Sequence, residues 1–126
     1  MLNKNQILKA EDLKKEKVNV PEWGGEIYVR TMTGTERDSF EQEIVNTDES
    51  ANLKNIRARL CVLTIIDDKG NRLFDANDIE ALGRKSALVL DRIFQVAQRL
   101  NGITSEDVEE LAKNSENDQG DSSITD

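Results

Sequence analysis

"VNVPEWGGEIYVRTMTGTERDSFEQEI", residues 18–44, changes its periodicity half-way along, and that change sets the fold class. Val18 and Val20 alternate with Asn19, and Ile27 and Val29 alternate with Tyr28 and Arg30. A period of two marks a strand with one face toward a core. Trp23-Gly24-Gly25 lies between the two runs, so together they predict a β-hairpin. Pro21 has no amide hydrogen to give to a ladder, which confines it to an edge or the turn. From Thr33 onward the spacing lengthens. Phe40 and Ile44 stand one helical turn apart, and Thr33 with Glu36 three residues on matches a capping box. The sequence therefore reads as an α+β domain, mostly helical, with a small N-terminal antiparallel β-hairpin or sheet. Trp23 has two readings: a cap on that small sheet, or an anchor for a protein partner.

Downstream, the first helix is expected to end near Asn46-Thr47-Asp48. "SANLKNIRARLCVLTII", residues 50–66, is the most apolar stretch. Leu53, Ile56, Leu60 and Leu63 follow a three-four spacing, with Ala58, Cys61, Val62 and Ile65 widening the stripe and Ser50 as a candidate N-cap. The β-branched end, Thr64-Ile65-Ile66, suits either the helix or a strand. "SALVLDRIFQVAQRLNG" carries a second stripe: Val89, Ile93, Val96 and Leu100. Ser86 can cap this helix and Asn101-Gly102 can stop it. Leu60, Leu63, Ile93 and Val96 are the expected core between the two longest helices. Thr104 to Asp107 opens a last short helix.

"DDKGNRLFDAND", residues 67–78, resembles a metal loop at first sight. A calcium-binding EF-hand loop needs oxygen ligands at its first, third and fifth positions, glycine at the sixth and glutamate at the twelfth. With Gly70 sixth, Ile65 is first and Ala76 twelfth, and neither ligates through its side chain. Starting at Asp67 or Asp75 puts Arg72 or Glu80 where glycine belongs. Each of these registers fails. The stretch reads instead as a turn at Asp68-Lys69-Gly70-Asn71, flanked by Ile65-Ile66 and Leu73-Phe74. Asp75 then caps a helix with Asp78 in its first turn, and Gly83 is expected to stop it.

Composition narrows the function classes. The chain has 126 residues, which suits one domain, with 1–16 as a mobile N-terminal arm, 17–114 as the folded unit and 115–126 as a disordered acidic tail. A net charge of −8 argues against a nucleic-acid partner. There is no histidine, and Cys61, the single cysteine, lies in an apolar run with no base to activate it. No phosphate loop, paired cysteines or nucleophile elbow is present. Arg57 and Arg59 leave a helix on different faces and read as rim groups. The expectation is a protein that is not an enzyme, with no catalytic, cofactor-binding or metal residues, no cofactor and no membrane span. The expected compartment is a reducing cytoplasm.

Three pieces occur in a telling order: Thr33-Gly34-Thr35-Glu36-Arg37, then Asp67 to Phe74 with Gly70 and Leu73-Phe74, then Leu100-Asn101-Gly102. Across about residues 18–112 this order resembles the tail assembly chaperones of long-tailed bacteriophages and prophages. The resemblance implies a chaperone that binds the tape measure protein, keeps it soluble, assists tail tube assembly and is absent from the mature virion. It implies the tail tube protein as a second partner and leaves room for a homo-oligomer. The competing reading is a head–tail connector or another small acidic interaction module. Trp23 and the exposed edges of the Ser86–Asn101 helix are the candidate partner contacts.

Overall fold

The computed structural model describes residues 1–45, 55–104, 106–111 and 113. Asn46-Thr47-Asp48, Ser50, Leu53 and the tail 115–126 lie outside the described residues.

The hairpin forms where the alternation places it. Strand β1 (Lys15–Val20) pairs antiparallel with β2 (Gly25–Arg30), with Val18 opposite Ile27 and Val20 opposite Gly25. The connection is a 3-10 turn, Pro21–Trp23, with proline at the position where a missing amide hydrogen costs nothing. Gly24 closes it at φ 86, a left-handed conformation that glycine reaches without a Cβ penalty. One face of the pair carries Val18, Val20 and Val29, all buried.

The β-branched end of the apolar stretch resolves as a third strand. Helix α3 (Ile56–Thr64) passes straight into β3 (Ile65–Ile66), which pairs with β2 through Ile66 opposite Tyr28 and Ile65 opposite Val29. The sheet order is β1-β2-β3, antiparallel throughout. Ile65 and Ile66 also turn back on the following loop, through Leu73 N to Ile65 O and a bridge from Ile66 to Arg72.

The remaining helices are α1 (Lys4–Lys9), α2 (Gly34–Val45), α4 (Ile79–Gly83) and α5 (Ala87–Asn101), with a further helical segment at 106–111. Helices α3 and α5 pack on each other and on the apolar face of the sheet. Leu60 and Ile93 are fully buried between them, as expected. Leu63 and Val96 are only half-buried, which corrects the expected core. The reason is geometric. Helix α3 is covered by α2, α4, α5 and the sheet, so its buried positions run consecutively through Leu60-Cys61-Val62 rather than along one stripe.

Local signals set the helix ends. Thr33 and Glu36 exchange both capping-box hydrogen bonds, at 3.1 and 3.0 Å. Asp75 and Asp78 do the same before α4, preceded by a 3-10 turn at Ala76–Asp78. Gly102, at φ 65, ends α5. Gly83 is the last residue of α4, so the helix ends where the stop is expected, and a Cβ there would run into the Asn55 side chain, whose Cγ would stand 3.1 Å away. Its use is close helix packing rather than a turn.

Candidate functional site

The three sequence pieces that carry the family likeness lie far apart in the chain, and the fold brings them together. Glu36, at the start of α2, receives Arg30 Nη2 at 2.8 Å, and Arg72 Nη1 lies 3.9 Å away. Arg30 comes from the end of β2 and Arg72 from the loop after β3. Arg30 also donates to the carbonyls of Thr31 and Leu63, and Arg72 Nε donates to Val62 O. The next residue, Arg37, donates from Nη1 to Asn101 O at 2.9 Å, where the open C-terminal carbonyls of α5 attract a cation. Asn101 in turn accepts from Met32 N at 2.7 Å and donates to Ala97 O at 2.8 Å.

This knot is structural. Burial pushes the Glu36 carboxyl upward, but hydrogen bonds from Arg30 and Thr33 and the nearby charges of Arg30 and Arg72 outweigh it, so the group titrates below its ordinary range. Its acceptor positions are spent on the fold. The buried Arg30 was not singled out by the sequence reading, because an arginine at the outward position of a strand normally faces water.

The acidic loop is equally self-contained. Asp67 Oδ1 accepts from Lys69 N at 2.8 Å and from Asn71 N at 2.9 Å, and these bonds hold its carboxyl below the usual range. Gly70 takes φ 92 at the turn. No group of three or more histidine, cysteine, aspartate or glutamate side chains among the described residues is arranged to hold a metal ion. Cys61 is buried, and burial pushes its thiol up to about 12, which leaves it protonated and unreactive near neutral pH. Arg57 and Arg59 pair at the surface with Asp91 and Glu43, on different flanks of α3.

The described residues also line open clefts, three of which bear on a partner. The outer face of the sheet borders one of about 440 Å³, lined by Lys17, Glu26, Ile27, Tyr28, Ile66, Asp67, Asp68 and Leu73. A second, of about 260 Å³, lies between α2 and the segment after Gly102 and is ringed by Arg37, Glu41, Asp107 and Glu110. The third, of about 190 Å³, is lined by Trp23, Phe74, Asp78, Ala81, Leu82 and Lys85, with mostly carbon walls. Trp23 is thus half-buried, packed on the core yet open on one side. Its packing on the core agrees with the reading of Trp23 as a cap on the small sheet. On α5 the exposed apolar group is Leu88, in its first turn, with 80% of its surface open. Leu73 is exposed on the loop after β3.

The hairpin that presents Trp23 is strapped to α5 by two ion pairs. Arg92 makes a two-pronged contact with Glu22, at 2.8 and 2.6 Å, and Arg99 meets Glu16 at 2.7 Å. The hydrogen bonds from Arg92 draw the Glu22 carboxyl down to about 2. These pairs are exposed, so they orient the turn more than they stabilise the fold.

Comparison with known proteins adds a direct finding. A family model described as phage tail assembly chaperone matches residues 3–114. Among solved structures, the bacteriophage HK97 tail assembly chaperone superposes with a TM-score of 0.59 at 22% identity, covering 76% of this chain and 94% of that one. At that identity the likeness speaks for the fold. No curated protein matches the chain in sequence.

Proposed function

This chain belongs to the phage tail assembly chaperone family, and from that premise we propose that it binds a helical, apolar surface of the tape measure protein in the host cytoplasm. It keeps that client soluble until tail tube subunits assemble around it, and it leaves before the virion is complete. The observation that carries this reading is the family match over most of the chain. The structure supports it in two ways. The Trp23–Phe74–Leu82 cleft offers an open apolar surface of the kind on which an amphipathic helix lays its side chains. The net charge of −8 gives chaperone–client complexes a mutual repulsion that opposes their aggregation. No described helix is long and apolar enough to cross a membrane.

In this reading the pieces around Glu36, Arg37 and Asn101 hold the fold, and Trp23 with Leu88 meets the client. No catalytic step is part of the proposal. Binding by apolar burial should be little weakened by moderate salt, since salt screens exposed charges and leaves burial intact.

The test is co-expression of the tape measure protein with and without this chain. A soluble complex on gel filtration, together with a client that precipitates when alone, is the expected result. A client equally soluble in both cases, with no complex, would sink the reading and favour a connector that stays in the particle. Mass spectrometry of purified virions separates those two directly.

A further inference from the structure

The Trp23–Phe74–Leu82 cleft has unlike ends. Two charged groups line it, Asp78 just before α4 (Ile79–Gly83) and Lys85 just after it. Carboxylates gather at the start of that helix: Asp75 caps the turn that leads into it, and Glu80 lies in its first turn. Asp78 Oδ2 accepts from Asp75 N at 2.9 Å and Asp75 Oδ1 from Asn77 N at 2.8 Å, which fixes these acids in place. Arg84 and Lys85 stand at the other end, both exposed.

The basic pair is unused by the fold. Of the eight arginines, seven form an ion pair, and among the described residues Arg84 forms none. Lys85 forms none among them either. Arg92, the next cation along the chain, is spent on Glu22. An exposed apolar group stands beside the pair. Leu88 lies one helical turn before Arg92, on the face of α5 that holds the hairpin turn, with 80% of its surface open.

On the reading above, in which a client helix fills this cleft, we propose that the helix docks in a preferred direction, antiparallel to α4. An acidic side chain in its first turn meets Arg84 and Lys85. Its apolar side chains enter the cleft and cover Leu88, and a basic side chain further on meets Asp75 and Asp78. Two arguments fix the direction. Acidic groups stabilise the first turn of a helix and basic groups the last, and only the antiparallel direction gives the client that order. It also opposes the dipoles of the client helix and α4. The spacing follows from α4: Asp78 to Lys85 is seven residues, about 10 Å at the rise of a helix, or two turns. The recognised pattern is therefore an acidic residue, apolar residues three and four positions on, and a basic residue at the seventh. A cleft of about 190 Å³ takes such side chains and is smaller than the roughly 300–1,000 Å³ of small-molecule sites. Exposed rim charges set direction and partner choice more than affinity, so overall binding still rests on burial.

The experiment titrates the full chain with two stapled helical peptides of one composition and follows the fluorescence of Trp23, the single tryptophan. One peptide carries Glu-x-x-Leu-Leu-x-x-Lys, and the other has Glu and Lys exchanged. A third has Gln at both charged positions. The Glu-first peptide should bind about fivefold or more tightly than the exchanged one, and that ratio should shrink as salt rises. A chain carrying both Arg84→Glu and Lys85→Glu, two exposed sites, should reverse the preference. Equal affinities, a preference for the exchanged peptide, or a preference unaltered in the double variant would overturn the direction and leave the client cleft standing. No response of Trp23 to any of the three peptides would overturn the cleft reading itself, and the direction with it.

Discussion

Two stretches of this chain have equally strong local signals and very different fates. At Thr33 a capping box starts α2, and within a few residues Glu36, Arg37 and Phe40 are drawn into buried or half-buried contacts with β2, the loop after β3 and the end of α5. At Asn3 an equally complete capping box starts α1, and no residue of that helix is buried. The same local chemistry makes both helix ends. What separates them is the apolar and polar surface that other elements bring to α2 and not to α1. A cap decides where a helix begins, while tertiary burial decides whether the fold depends on it.

The comparison can be broken most forcefully in the core. Ile93→Ala or Leu60→Ala removes a side chain fully buried between α3 and α5, and each should cost about 2–5 kcal/mol in urea unfolding. A loss near zero would place that residue outside the core and dissolve the contrast. Next comes the knot. Asn101→Ala takes away the acceptor of the Met32 amide and should cost about 1–3 kcal/mol, the penalty of an unpaired buried polar group. An unchanged midpoint would show that water replaces the side chain there.

Acid should sharpen the contrast further. In the folded chain the Glu36 carboxyl titrates below its ordinary value of 4.5, so the unfolded chain takes up that proton more readily. Its stabilisation is therefore complete above about pH 4.5 and is lost as the pH falls through the lower, folded value. Unfolding midpoints measured from pH 6 to 3 should fall, and Glu36→Gln should flatten that fall by removing its share. An identical slope in the variant would leave Glu36 without a part in acid unfolding. The smallest effect belongs to α1. Leu8→Ala, at concentrations where the chain is monomeric, should leave stability within about 0.5 kcal/mol, as for surface changes generally. A larger loss would mean that α1 packs on its own body after all.

Much of this architecture is written in short-range patterns. The alternation at Val18–Val20 and Ile27–Val29 specifies the hairpin, because one face of a strand must be apolar to be buried. Thr33–Glu36, Asp75–Asp78, Ser86 and Asn101-Gly102 mark helix ends through groups a few residues apart, and each acts where it is read. The failure of the Asp67–Asp78 stretch as a metal loop is also visible in its spacing alone. The likeness to tail assembly chaperones rests on the order of such pieces, and the family match and the fold agree with it.

Other features depended on which distant elements meet. Ile65-Ile66 is compatible with a helix end or a strand, and the free edge of β2 decided for the strand. Arg30 stands at an outward strand position and is nonetheless buried, because Glu36 and the Leu63 carbonyl come to cover it. Leu63 shares its spacing with Leu60 and lies half-exposed, because α3 is enclosed from several sides rather than along one stripe. Gly83 ends α4 as its reading as a stop implies, and only the fold shows that it also leaves clearance for Asn55. Trp23 faces both the core and an open cleft, since Phe74 and Leu82 arrive beside it from residues some fifty positions later. Local sequence determines which conformation a segment prefers, through hydrogen bonds and side-chain period over a few residues. Burial and the pairing of charges depend on the full set of neighbours in space, and those neighbours exist only once the chain has folded.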